Sequence, residues 1–362
     1  PSKTLTIDDH VESIIDAGGP DGALKKRYYY RELQEILDTI HQRGELLDLR
    51  VYHFYGTFNM WQSPDDTANF PLAREATGEL IETLQTRYGW TLEDVVIKIT
   101  QGHFKKEKVK FGATVGGMLS KVYRSSSNAF MDYLQTHPDE KVRERFAKLR
   151  PYHFGKAKRG SWTKEDGTKN YELAREATGE LIEALQKRYG WTLEGVVQKI
   201  ILRHFHNEEV LFGTTLGGML TIVYGDSPSK AVIDYLQNHD REEIRRRFAR
   251  LRPYHFGVVP HGTWTREDGT KNYELARETT GELIETLQER YGWTLEEVIR
   301  KITKEHFDTE EILFGATLGG MLANSYGSSP SKAVIDYLQN HPEDKVRQKF
   351  AKFGNEEDFK KK

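Results

Sequence analysis

The chain repeats itself, and that constrains its fold more than any other feature. Trp61, Trp162 and Trp264 stand 101 and 102 residues apart, and Trp90, Trp191 and Trp293 repeat both spacings. The segment Tyr152-His153-Phe154-Gly155 returns as Tyr254-His255-Phe256-Gly257, and in weaker form as Tyr52-His53-Phe54-Tyr55. Three homologous units follow, at 50–149, 150–251 and 252–353. Residues 1–49 read as a helical cap or degenerate half-repeat, because Tyr28 to Arg50 is comparable with Ile233 to Arg252; residues 354–362 form a charged tail. The period exceeds the roughly 20–50 residues of common solenoid repeats. Each unit is just long enough to hold its own small core, so the expected arrangement is three beads on a chain. By length alone 362 residues suggest about two domains; the repeat raises that to three and a cap.

Within a unit the patterning is mainly α-helical. In the third copy, Leu275, Thr279, Leu283, Ile284 and Leu287 recur at a helical period from Tyr273 to Tyr291, and Gly292 supplies the stop. Thr294 with Glu297 is a capping box that opens a second helix. The first copy keeps that logic with Thr91 and Asp94, and the second loses it at Gly195. A linker through His306 and Phe307 is expected next, then a helix over 316–326 containing Gly319-Gly320-Met321-Leu322. Ser329-Pro330 has the N-cap and first-turn residues of a helix running to about Asn340, and a last helix follows Pro342. The stretch from Tyr254 to Asn272, with the turn signal Glu267-Asp268-Gly269-Thr270, reads as a short hairpin or ordered loop.

Enzyme chemistry is poorly represented. There is no phosphate-loop, dinucleotide, zinc-protease or serine-elbow motif, and cysteine is absent, which removes disulfides, thiolate metal sites and cysteine nucleophiles together. Nine histidines recur in register: His53, His153, His255; His103, His204, His306; His137, His239, His341. Repetition once per unit suits packing or hydrogen-bonding roles better than one catalytic centre. A metal cluster at His204, His206, Glu208 and Glu209 is not shared, since Lys105 and Asp308 replace His206 in the other copies. Glu176, Glu180 and Glu183 with Arg175, Lys187 and Arg188 read as ion pairs on a solvated helix face, and the tryptophans read as core anchors. No catalytic, metal-binding or cofactor-binding residue is expected.

The helix with two adjacent glycines is the most informative element. Its copies start Gly112-Ala-Thr-Val-Gly-Gly-Met-Leu, Gly213-Thr-Thr-Leu-Gly-Gly-Met-Leu and Gly315-Ala-Thr-Leu-Gly-Gly-Met-Leu. Glycine inside a helix costs about 1 kcal/mol relative to alanine, so close approach of another helix or of an external group should offset it. After the fixed core the copies diverge to Ser120-Lys121, Thr221-Ile222 and Ala323-Asn324-Ser325. A constant scaffold with changing side chains at one helical spot is what modular base reading requires; surface drift would give the same pattern.

From "GWTLEEV" through "FGATLGGML" to "YGSSPSKAV" the unit resembles the helix-turn-helix-like repeats associated with homing endonucleases. It is closer still to uncharacterised repeats of Firmicute proteins with a Gly-Leu-Gly-Gly-Met-Leu core followed by Ser-Pro. The likeness covers about 70 residues of each unit, and Gly-Gly-Met-Leu with Ser-Pro-x-x-Ala carries it. Copy one departs from it at Arg124-Ser125-Ser126-Ser127. The resemblance implies DNA binding without catalysis.

Charge qualifies the picture. The total is −2, with 53 basic against 55 acidic residues, yet the three units hold 14 against 12, 17 against 14 and 13 against 16. Lys105, Lys106, Lys108, Lys110, Lys156, Lys158, Arg159 and Arg245-Arg246-Arg247 are candidates for phosphate contact. The DNA-contacting set expected from the sequence is Thr114, Ser120, Lys121 and Arg124; Thr215, Thr221 and Ile222; and Thr317, Ala323, Asn324 and Ser325. Lys156, Lys158, Arg159, Lys230 and Lys332 complete it. The expected protein is a cytoplasmic, nucleoid-associated bacterial or phage regulator, a monomer that binds double-stranded DNA with one recognition helix per unit. It needs no cofactor, membrane or small-molecule substrate. The rival reading is a multivalent protein-binding scaffold of three adaptor domains.

Overall fold

The computed structural model describes residues 5–23, 28–54, 60–62, 67–154, 159–164, 166–259, 262–266 and 268–351. Among these the protein is mainly helical, and its extended pairings are single antiparallel bridges. The same order of elements recurs three times.

Each repeat is organised by one long helix: Phe70–Tyr88, Tyr171–Tyr189 and Tyr273–Tyr291. Asn69, Asn170 or Asn272 caps its start, the carboxamide oxygen accepting a backbone N–H three residues on, and Gly89, Gly190 or Gly292 ends it in the left-handed conformation. The second helices are Leu92–Lys98, Leu193–Lys199 and Leu295–Lys301. Thr91 with Asp94 and Thr294 with Glu297 form reciprocal capping boxes. Thr192 keeps only its half of the box, accepting the Gly195 N–H at 3.1 Å.

Two sequence expectations need correction here. The stretch through His306 and Phe307 is a six-residue helix, Lys304–Thr309, matched by Gln101–Lys106 and Leu202–Asn207. Its start is capped by histidine, because His306 Nδ1 accepts the Thr303 N–H, and Phe307 is fully buried. The glycine helix begins at Gly319, not at residue 316, because Phe314 and Gly315 both take positive φ, 59° and 80°. It spans Gly217–Tyr224 and Gly319–Tyr326 in the second and third repeats. In the first repeat Gly116–Met118 runs on into a π-helical turn, Leu119–Tyr123. That is where the sequence departs: Arg124 adopts φ 58° in the place that Gly225 and Gly327 hold elsewhere. The helices Ser126–Gln135, Pro228–Gln237 and Pro330–Gln339 follow, and Glu140–Phe146, Glu242–Arg247 and Asp344–Phe350 close the repeats. The expected hairpin is one bridge, Thr265 with Lys271 in the third copy, matched by Gln62 with Ala68 and Thr163 with Lys169.

The protein divides into two compact units, residues 1–161 with 211–214, and residues 162–210 with 215–362. In the first, the cap helices Ile7–Asp16 and Tyr30–Gln42 share one core with the first repeat, so that repeat is not a separate bead. In the second, successive repeats are joined by an aromatic wedge. Phe314 stacks on Phe248 of the preceding repeat with ring centres 5.3 Å apart and meets His255 edge-on at 5.1 Å. Gln198 Nε2 donates to the His255 and Phe314 carbonyls beside it. Phe212 forms the same wedge within the first unit, 5.6 Å from Phe146 and 5.1 Å from His153. A phenylalanine at positive φ costs about 1–2 kcal/mol, and the stacked position offsets that strain.

Candidate nucleic-acid interface

The histidines come first, because they are the residues most open to a chemical role. In all nine recurring positions Nδ1 accepts a backbone N–H. Arg50, Arg150 and Arg252 donate to His53, His153 and His255 at 3.0 Å. Thr100, Ile201 and Thr303 donate to His103, His204 and His306, and Asp139, Arg241 and Glu343 to His137, His239 and His341. A backbone N–H can only donate, so these rings carry their proton on Nε2. His53 and His255 point that N–H at Glu79 and Glu282, at 3.0 and 2.9 Å, with both imidazoles fully buried. Each pair pins the short turn Val51–His53 or Pro253–His255 to its long helix. Burial denies them a substrate. Burial of His204 lowers its pKa. Among the described residues no group of three or more possible metal ligands assembles, and no helix is long and apolar enough to cross a membrane.

The glycine helix is held in place at its end. Tyr123, Tyr224 and Tyr326 donate to Asp132, Asp234 and Asp336 on the following helix, at 2.5, 2.7 and 2.6 Å. Burial, then the adjoining carboxylate, pushes each phenol well above its usual pKa. Arg74, Arg175 and Arg277 on the long helix pair with the same aspartates. The helix therefore presents a fixed outer face.

Its two glycines have different surroundings. A Cβ on Gly116 would lie 3.0 Å from Lys105 Cγ, one on Gly217 would enter the His206 imidazole, and one on Gly319 would enter the Asp308 carboxylate. At Gly116 the Lys105 backbone also crowds such a Cβ, at 3.2 Å, whereas at Gly217 and Gly319 the crowding atoms belong to exposed side chains. Among the described residues a Cβ on Gly218 or Gly320 would meet nothing within 4 Å, and one on Gly117 would meet Trp61 Nε1 alone, at 3.5 Å. All three second glycines are exposed. Among the described residues nothing requires them.

Around them lie most of the residues expected from the sequence. Thr114, Thr215 and Thr317 stand exposed just before the helix, not in it. Ser120, Lys121, Arg124, Thr221, Ala323 and Asn324 are exposed along it or at its end, and Ile222 is half-buried. Ser120 Oγ and Asn324 Nδ2 donate back to the Gly117 and Gly320 carbonyls, at 2.9 and 2.7 Å; Thr221 donates to Gly217 and Asp226.

Ser325 is a correction. It is 2 % exposed and faces the core where the other copies hold Val122 and Val223, and among the described residues its hydroxyl has no hydrogen-bond partner. A side chain on that face cannot reach a base. Lys230 and Lys332 are exposed in the first turn of the serine-capped helices. Lys156 and Lys158 lie outside the described residues, as does the side chain of Arg159 in the short turn Arg159–Trp162.

The basic runs behave unequally. Lys105, Lys106 and Lys108 are exposed, and Lys110 pairs with Asp48 at 3.2 Å. Arg245 donates to the His239 and Asp240 carbonyls, Arg246 pairs with Glu242, and Arg247 pairs with Glu194. That cluster is engaged within the chain.

Beside the third glycine helix a cavity of about 490 Å³ opens, lined by Tyr254, Trp264, Thr317, Gly320 and Asn324 among others. Tyr254 and Trp264 stack there at 5.9 Å.

No protein-family model matches the chain, and no curated protein or solved structure is significantly similar to it.

Proposed function

We propose that the protein binds double-stranded DNA sequence-specifically, each repeat laying the outer face of its glycine helix in the major groove, as a non-catalytic regulator. One observation carries this: the second glycine of each pair is exposed in a helix, and among the described residues Gly218 and Gly320 have open space where a side chain would stand. In the first turn it forfeits helix propensity, at most about 1 kcal/mol, with no return from packing among the described residues. Close approach by an external surface is the use for which a bare backbone is suited. The flanking exposed positions differ from copy to copy while the supporting tyrosine, aspartate and arginine do not. That division between a positioning scaffold and variable readers suits base recognition. Three readers in one chain raise each other's effective concentration, so a weak contact per repeat sums to a firm one.

Selection from a randomised duplex pool with the whole chain tests this. A composite motif is expected, one block of which degenerates in Lys121→Ala and a different block in Asn324→Ala, with affinity falling steeply as salt rises. A pool that stays unenriched contradicts it.

A second reading, a protein-binding scaffold, draws on the cavity beside Gly320, whose aromatic wall would accept an inserted side chain. It predicts binding that is indifferent to DNA and abolished when Gly320→Leu fills that cavity.

A further inference from the structure

The residue resting on the first glycine comes from the short helix that the sequence reads as a linker. It is Lys105, His206 or Asp308, and all three are exposed. Their backbones superpose in role and their charges do not: an ammonium, an imidazole and a carboxylate occupy one spot. Packing needs only a side chain that fits over glycine, and the Lys105 methylene, the His206 ring and the Asp308 carboxylate all do so. The fit is shared; what differs is the polar group presented next to the exposed glycine. Lys304 pairs with Asp308, but the i,i+4 geometry and the exposure of both side chains leave that contact weak and exchangeable.

We infer that this position is a second specificity-determining residue of each repeat, and that it sets which base edge the repeat accepts. The inference rests on the DNA-binding reading above. Position 105 stands beside Gly116 at the start of the glycine helix, Lys121 lies further along it, and both side chains are exposed. The two positions therefore offer separate contacts. In the first repeat both are lysines, donors only, matched to the O6 and N7 acceptors of guanine. In the third repeat the pair is Asp308 and Asn324. The carboxylate accepts only, so it matches the exocyclic amino group of cytosine, and the carboxamide matches adenine. Asp308 also repels phosphate, so the third repeat depends on base contacts where the first draws on charge.

The test is selection from a randomised duplex pool with the full chain, in wild type, Asp308→Lys and Lys105→Asp. Thermal melts confirm that each exposed substitution leaves the fold intact. Wild type should yield guanine in the first block and cytosine with adenine in the third. Asp308→Lys should move the third block to guanine by tenfold or more and leave the first unchanged. Lys105→Asp should lower guanine preference in the first block alone. A wild-type motif whose third block is unaltered in Asp308→Lys overturns this assignment and leaves DNA binding standing. A wild-type chain that enriches no motif overturns both.

Discussion

The Phe-Gly wedge and the Gly-Gly helix lie a few residues apart in every repeat, and they use unusual backbone for opposite ends. At the wedge, Phe212 and Phe314 hold a strained left-handed conformation, and aromatic stacking on the preceding repeat accounts for it. At the helix, Gly218 and Gly320 hold an ordinary helical conformation, and among the described residues no contact accounts for their being glycine. The first feature is explained by folding alone. For the second, the proposed DNA contact supplies the reason.

Substitutions can break that contrast. The largest effect belongs to the wedge: Phe314→Ala should lose roughly 2–3 kcal/mol, less than a fully buried phenylalanine because Phe314 is half-buried. Chemical denaturation measures it, and base preference at the third block should be unchanged at temperatures where the variant is folded. An unaltered midpoint would show that the wedge is dispensable. Next in size is Glu282→Ala, which strands the fully buried His255 N–H and should cost about 1–3 kcal/mol by the same measurement. Stability equal to wild type would mean that water reaches the imidazole.

Ser325→Val works in the other direction. It replaces a buried, unpartnered hydroxyl with the residue that the other two copies carry, and should raise stability by about 1 kcal/mol. It should leave DNA binding untouched, because the residue faces the core. A change in sequence preference would reinstate Ser325 as a reader.

The smallest effect is with pH. Burial lowers the folded pKa of His204 below its unfolded value of about 6.5, so between the two the unfolded chain binds more protons. The stabilising contribution is complete above pH 6.5 and is lost as pH falls through the folded value. His204→Asn should flatten the pH dependence of the melting temperature below 6.5; an unchanged slope would assign that dependence to other groups.

Much of the helical frame is legible in the sequence, because caps are local. Asn272 and Gly292 bound the long helix, Thr294 with Glu297 opens the next, and Ser329-Pro330 starts another, each through contacts within four residues. The short helix at Lys304–Thr309 escapes the same reading: Thr303 stands at its N-cap, but the side chain that accepts the Thr303 N–H is His306, where a capping box usually has Glu or Gln. The register of the nine histidines is plain in the sequence; their shared use of Nδ1 is not. Phe314 shows the other limit. Nothing local marks a phenylalanine as left-handed, and its reason lies in Phe248 of the preceding repeat.

Ser325 shows where divergence misleads. Alone it does not tell an outer position from an inner one, and Val122 and Val223 are the sign that this one faces inward. The position at Lys105, His206 and Asp308 diverges as sharply. Its relevance appears only when the helix that carries it is seen resting on the first glycine.

Alanine at the second glycine tests most directly whether that position serves an external partner. Gly218→Ala and Gly320→Ala, made together in the full chain, should melt no lower than wild type and up to about 1 kcal/mol per site more stable. Their affinity for the selected duplex should nevertheless fall at least several-fold. Unchanged affinity, or a loss of stability, would contradict the account.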